Sequence, residues 1–432
     1  MASTSTASQD ALDHAADLGA FVAASPSSHH AAAEAACRLD AAGFTGLDEA
    51  ADWPAGPGAY YVLRDGAVIA WTVPESAGPT TGFHLVGSHT DSPSFKLKPR
   101  PTTGAHGWLQ AGVEVYGGPL MNSWLDRELE LAGRLALRDG GTVLARTGPL
   151  LRFPQLAIHL DRNVNESLAL DKQRHMNPVW GLGDAAGADL LGLLAGAAGV
   201  DPADVGGYDV VAADTQEPRV FGQSDAFFAS GRLDNLSSVH ASLAALAAHA
   251  ADGAPGERIA LLAAFDHEEV GSATRSGAAG PFLQEVLERI SAGLGADDAQ
   301  RYRAYADSVC VSADAGHAVH PNYAERHDPA NHPVLNGGPL LKINANQRYA
   351  TDAVGAALWA RLCDDAGVPY QEFVSNNVIP CGSTIGPLTA TRLGIRTVDV
   401  GIPLLSMHSA RELCGVEDPL RLSRVCRAFF AA

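Results

Sequence analysis

The chain has 432 residues and a formal net charge of −19, from 30 Lys plus Arg against 49 Asp plus Glu. That length predicts two or three domains, and so acidic a chain, with no basic run interleaved with aromatics, excludes nucleic acid as an expected partner. Six scattered cysteines, at 37, 310, 363, 381, 414 and 426, form no C-x-x-C pair and exclude a disulfide framework; reduced thiols in a cytoplasm fit them best.

The opening Met-Ala-Ser-Thr-Ser-Thr has no basic region followed by an apolar stretch, so no signal peptide is expected. Two Ala-rich segments, 9–22 and 30–42, carry helical patterning, the second stopping at Gly43. Residues 60–63 and 67–73 read as a hairpin around Asp65-Gly66. A strand over 82–86 leads into Gly87-Ser88-His89-Thr90-Asp91-Ser92-Pro93. From 95 to 224 the texture becomes β-rich, with alternating runs at 109–115, 129–137 and 142–146 between Gly-Gly and Asp-Gly turns. The longest apolar run, around 190–200, is too short to span a bilayer, so no membrane contact is expected.

Beyond 225 strands and helices alternate: a helix over 236–249, a strand over 258–265, a helix over 281–290, a strand over 308–312, a helix over 351–365 ending at Gly367, and a strand over 397–400. Such alternation predicts an α/β domain with a mostly parallel sheet flanked by helices. Both ends of the chain build it, 1–95 plus 225–432, and a β-rich domain at 96–224 interrupts it.

The chemistry-bearing clusters follow predicted strands, where open α/β sheets place their sites. His89, Asp234, Glu268, Glu269, Asp314 and His408 offer imidazole and carboxylate without thiolate, a donor set suited to Zn²⁺, Co²⁺ or Mn²⁺. Two such ions about 3.5–4 Å apart clamp a hydroxide and polarise a carbonyl. Asp91 stands two residues from His89, a spacing that lets it hold the other ring N–H. Glu268-Glu269 pairs like charges, which is costly unless a cation lies between them; one can bind metal while the other moves a proton. Singly, each residue has a plain alternative: a structural histidine at 89, a helix cap at Asp234-Asn235, solvated glutamates at 268 and 269.

Together the clusters resemble the aspartyl aminopeptidase family of cocatalytic zinc exopeptidases. The resemblance rests on 87–93, Leu-Asp-Asn (233–235), Glu-Glu-Val-Gly-Ser (268–272), Ser-Ala-Asp-Ala-Gly-His-Ala-Val-His-Pro-Asn-Tyr (312–323), Gln-Arg-Tyr-Ala-Thr (347–351), Pro-Cys-Gly-Ser-Thr-Ile-Gly-Pro (380–387) and Met-His-Ser (407–409). It implies two zinc ions per subunit: His89, Asp234 and Asp314 on one, and Asp234, Glu269 and His408 on the other. It further implies Glu268 as general base, a substrate site lined by His317, Lys342 and Tyr349, and His159 reaching a neighbouring subunit. The implied activity is removal of an N-terminal Asp or Glu from peptides, by a tetrahedral homododecamer that pairs through the inserted domain. Two rivals share the pattern: a metal-dependent deacylase or carboxypeptidase on the same scaffold, and a non-catalytic assembly scaffold, for which Glu268 has no use.

Overall fold

The computed structural model describes residues 7–432; the Met-Ala-Ser-Thr-Ser-Thr stretch read above for a leader lies outside the described residues. Its largest sheet has nine strands. The four central ones, Ile259–Phe265, Phe83–His89, Val309–Ala313 and Arg396–Gly401, lie side by side in that order and are all parallel. Flanking strands bring antiparallel pairs, among them Ala67–Val73 against Ile259–Phe265 and Leu340–Ile343 against Arg396–Gly401. The expected α/β architecture, mostly parallel at its centre, is what forms.

The central strands are buried along their length because both faces are covered. In Ile259–Phe265 the side chains alternate between two cores. Ala260, Leu262 and Ala264 pack with Leu236, Val239 and Leu243 of the helix Leu233–Ala251 and with Leu422 and Phe429 of the helix Asp418–Ala431. Ile259, Leu261 and Phe265 pack with Phe282, Val286 and Leu287 of the helix Phe282–Gly293. Truncating Leu262 to Ala is expected to cost about 2–5 kcal/mol through lost burial and the cavity left behind.

The helices begin and end for local reasons. Ser27 caps Ser28–Ala41 by accepting the His30 N–H, and Asp352 caps Ala353–Ala366 by accepting that of Gly355 at 2.7 Å. The latter stops at Gly367, whose φ of 64° is left-handed. The strand Phe83–His89 runs three residues past its expected end, because His89 stays in register with Phe265 next door.

A second sheet of six strands, drawn from 94–214, is antiparallel throughout. Phe95, Val113, Leu131 and Val210 face its own core. Two features depart from an all-β texture. Leu190–Ala197 is a helix, its Leu190 and Leu194 sealing that core. Residues 154–178 contain turns and irregular chain, with no helix or strand. A third, five-stranded sheet joins Arg219–Phe221 and Phe227–Ser230 to Glu412–Gly415, Pro403–Leu405 and Gly316–His317, and no strand was expected at any of these. Among the described residues no helix is long and apolar enough to cross a membrane, and the six cysteines are free.

Candidate metal centre

Two imidazoles and four carboxylates converge beyond the carboxyl ends of the central strands. His89 closes its strand, Glu268 and Glu269 form a turn just after Phe265, and Asp314 directly follows Ala313. Asp314 fits there because the neighbouring strand ends in Gly401, where a Cβ would fall 1.8 Å from the Asp314 carbonyl oxygen. Asp234 sits in the first turn of Leu233–Ala251 with non-helical φ and ψ. His408 is further from its strand than expected: Pro403–Leu405 intervenes, and a φ of 65° turns the residue inward.

The ring orientations are set by carbonyl oxygens. His89 Nδ1 lies 3.0 Å from the Asp91 carbonyl, and His408 Nδ1 lies 3.1 Å from that of Gly118. A carbonyl only accepts, so Nδ1 carries the proton in both rings and Nε2 faces the carboxylates. His89 Nε2 is 3.4 Å from both Asp234 Oδ1 and Asp314 Oδ1, and 4.0 Å from Glu268 Oε2. His408 Nε2 is 3.4 Å from Asp234 Oδ2 and 3.6 Å from Glu269 Oε2. Asp234 thus presents one oxygen to each histidine.

Such an arrangement demands positive charge at its centre. Asp234 Oδ1 and Glu269 Oε1 are buried without a hydrogen-bond partner, which is costly for a carboxylate oxygen. His89–Asp234–Asp314 and Asp234–Glu269–His408 each bring three ligand atoms within 4.8 Å of one another, and His89–Glu268–Glu269 does so as well. Ligands at zinc distances of about 2.0–2.2 Å in a tetrahedron stand about 3.3–3.6 Å apart, as do the His89–Asp234, His89–Asp314, His408–Asp234 and His408–Glu269 pairs. Protonation equilibria carry the same demand. Burial pushes Glu268 up to about 7, helped by Asp314 and Asp234 and opposed by His89. Burial and the Asp234 charge hold Glu269 well above the carboxylate range. Burial opposes a charged His408, but Asp234 and Glu269 outweigh it and raise the ring to about 10. His89 is likewise raised against the effect of burial, by Asp234, Asp314 and Asp91. Without a metal, protons would supply the missing charge; a bound cation would supply it without them.

The supporting residues are partly new. Asp91 orients His89 through its carbonyl rather than its carboxylate, which is 3.4 Å from Nδ1. The carboxylate instead accepts the Glu268 and Glu269 N–H groups at 3.0 and 3.1 Å and the Tyr116 O–H at 2.7 Å, fixing the turn that carries both glutamates. Glu412 accepts the Asp234 N–H at 2.9 Å and the His408 N–H at 2.7 Å, tying two candidate ligand backbones together. Sequence reasoning missed it, although an acid in the otherwise apolar Glu412-Leu413-Cys414 run was a usable signal. Tyr116 and Gly118 also escaped; they belong to the segment that carries the six-stranded sheet and supplies no ligand of its own.

The cluster floors a cleft of about 440 Å³. Of the residues expected to meet substrate, His317, Lys342 and Tyr349 all line it, as do Gly382, Ser383 and Thr384. Lys342 is buried: Nζ donates to the Ala315 carbonyl at 2.8 Å and to Asp314 Oδ2 at 3.2 Å, and lies 5.3 Å from the centre of the Tyr349 ring. Two of its three N–H groups are therefore committed. His159 is exposed within 154–178 and is not among the residues lining this cleft.

Residues 21–430 match the family described as Aminopeptidase I zinc metalloprotease (M18). The chain belongs to the M18 aminopeptidase family. As an M18 member it is a zinc metallo-aminopeptidase. It is 57% identical over 419 residues to a probable M18 family aminopeptidase 2 of Streptomyces coelicolor, covering 96% of this chain and 97% of that one. A protein of the same description from Mycobacterium tuberculosis is 44% identical, with 95% and 96% covered. Among solved structures, Ape4 from its complex with Nbr1 superposes with a TM-score of 0.93 at 36% identity, over 99% of this chain and 88% of that one. The S. cerevisiae mApe1 dodecamer gives 0.85 at 30% identity, over 98% and 97%.

Proposed function

We propose that this M18 aminopeptidase uses two zinc ions to remove an N-terminal Asp or Glu from peptides. The observation that carries the two-ion reading is the pair of ligand triads that share Asp234, whose Oδ1 is buried and otherwise unpartnered. His89, Asp234 and Asp314 would hold one ion, and Asp234, Glu269 and His408 the other. The all-N/O donor set also accommodates Co²⁺ or Mn²⁺. When bound, the metals polarise the scissile carbonyl and acidify water. Glu268 then takes the proton of the attacking water and returns it to the nitrogen of the leaving amine, with Asp91 holding its turn in place. Carboxylates lining the cleft receive the free α-amine, which limits the enzyme to chain ends.

Lys342 is the proposed reader of the acidic side chain, through its one uncommitted N–H. His317 and Tyr349 flank it, and burial keeps His317 neutral, helped by the Lys342 charge. We assign 1–95 plus 225–432 to catalysis and 96–224 to pairing between subunits, with His159 directed to a neighbour's cleft. A tetrahedral dodecamer in the cytoplasm completes the proposal, supported by the dodecameric mApe1 relative.

Turnover of substrates differing only in the first residue, with zinc measured on the same sample, tests the reading. Acidic first residues should lead, at two zinc ions per subunit, and blocked peptides should be inert. Lys342→Met should lower kcat/KM for Asp far more than for Ala or Leu. A uniform fall would make Lys342 structural.

A further inference from the structure

A second recess, of about 230 Å³, opens beside the metal cleft. The two share His317, Tyr349 and Gly382. Their linings are opposite in charge. Asp234, Glu268, Glu269 and Asp314 line the metal cleft, whereas no carboxylate lines the recess, which presents Arg326 and His327. Its floor is apolar: Phe373 is buried, with its ring 6.3 Å from that of His317 and 6.2 Å from that of Tyr349. Ile379 and Pro380 continue that surface.

The recess is a formed cavity. Asn376 Nδ2 donates to the carbonyls of Glu325 and His327 at 3.1 and 3.3 Å, tying the turn that bears Arg326 to the opposite wall. Arg326 stands 3.6 Å from Glu325, with both side chains 69% exposed. A pair so open to solvent is weak and leaves guanidinium donors free for an incoming anion. His327 Nε2 accepts the His320 N–H at 3.1 Å, so Nδ1–H is the donor it has left.

An exopeptidase substrate is itself polar along its length, with an ammonium at one end and, in a short peptide, a carboxylate at the other. A cleft lined by carboxylates receives the ammonium. We propose that the recess binds the leaving side of the substrate: an apolar second residue against Phe373 and Ile379, and the terminal carboxylate of a dipeptide or tripeptide at Arg326. The scissile carbonyl then stays over the metal cluster, and the leaving side passes His317, Tyr349 and Gly382, which line both cavities, into the recess. This inference rests on the proposed function, and it adds a preference for short peptides with a free C-terminus.

The test compares aspartyl-phenylalanine, its C-terminal amide and an aspartyl arylamide on the wild type and on Arg326→Ala, an exposed change that spares the fold. The acid should exceed the amide in kcat/KM by about fivefold, the scale of one exposed charge contact, and the gain should appear in KM. Arg326→Ala should erase that gain and leave the arylamide unchanged. Phe373→Leu should lower aspartyl-phenylalanine relative to aspartyl-alanine. Acetyl-phenylalanine, whose amine is blocked, should bind the wild type in calorimetry and not Arg326→Ala. Equal turnover of acid and amide by the wild type would overturn the proposal. So would a loss in Arg326→Ala that follows the first residue rather than the C-terminus. A wild type that cleaves none of the three but binds acetyl-phenylalanine through Arg326 would overturn the proposed function and leave the recess assignment supported.

Discussion

The metal cleft and the segment 154–178 are unfinished in different ways. Around the cleft His89 and Asp314 sit at strand ends, and the backbones of Glu268, Glu269, Asp234 and His408 are tied down by Asp91 and Glu412. What the cleft lacks is charge, since four carboxylates face two imidazoles and Asp234 Oδ1 and Glu269 Oε1 are buried without a hydrogen-bond partner. The 154–178 segment has no helix or strand and exposes Leu156, Ile158 and Leu160, the last at 74%. What it lacks is cover. A charge deficit calls for a cation, and an uncovered apolar loop calls for another protein surface. Changes in the two regions should therefore fail in separable ways.

The largest effect is expected from Asp234→Ala. Removing the shared carboxylate leaves any two bound cations facing each other. Activity should vanish and the zinc content of the purified protein should fall below that of any single change at Glu268. Two full zinc sites in this variant would break the claim that Asp234 serves both triads. Next comes Glu268→Gln, which removes a proton carrier and spares the ligands. Its kcat should drop by about 10²–10⁴-fold with zinc retained, and near-normal turnover would remove Glu268 from its role.

A smaller effect separates charge from packing. In metal-free protein Glu268 is raised by burial to about 7, and Glu412 by burial and Asp234 to about 8, from an ordinary 4.5. Acids whose folded values are raised bind protons more tightly when folded, so stability falls as pH climbs from about 4.5 through 8. His408, raised from 6.5 to about 10, adds a contribution that is full below 6.5 and lost on the way to 10, so the sign is the same. Below pH 6.5 His14, His29, His30 and His84, lowered by burial to about 3–4, act in the opposite sense. Thermal melting of metal-free enzyme should therefore drop between pH 6.5 and 8, and zinc should flatten that part of the curve. Parallel curves with and without zinc would mean the cluster does not drive the trend.

The smallest effect on the folded subunit is expected in the other region. Leu160→Asp alters an exposed side chain and should change subunit stability by no more than about 0.5 kcal/mol. Its consequence should appear in sedimentation, as loss of the largest assembly. An unchanged assembly would show that this apolar loop is covered by something other than a second copy.

The candidate ligands that the structure brings together were legible in the sequence because metal chemistry restricts residue type whatever the surroundings, and because a turn after a buried strand is a local signal. The central strands were legible for a related reason: Ile259–Phe265 is apolar on both faces, which only a doubly covered sheet tolerates. Short edge strands such as Gln371–Val374 and Pro403–Leu405 carry too few residues to show a period. The supports of the site were illegible because they join distant parts of the chain. Glu412 reaches back 178 residues to the Asp234 amide, and the Gly118 carbonyl that orients His408 lies 290 residues away and has no side chain to betray it. The helix Leu190–Ala197 read only as an apolar run, since eight residues show little more than hydrophobicity and the core they seal decides their form. By itself, then, the sequence determined which atoms could bind metal and in what order the strands would carry them. Tertiary structure alone decided which carbonyls aim the rings, how Asp234 divides its two oxygens, and where a carboxylate-free recess meets the metal cleft, because each is a distance between segments that no local pattern encodes.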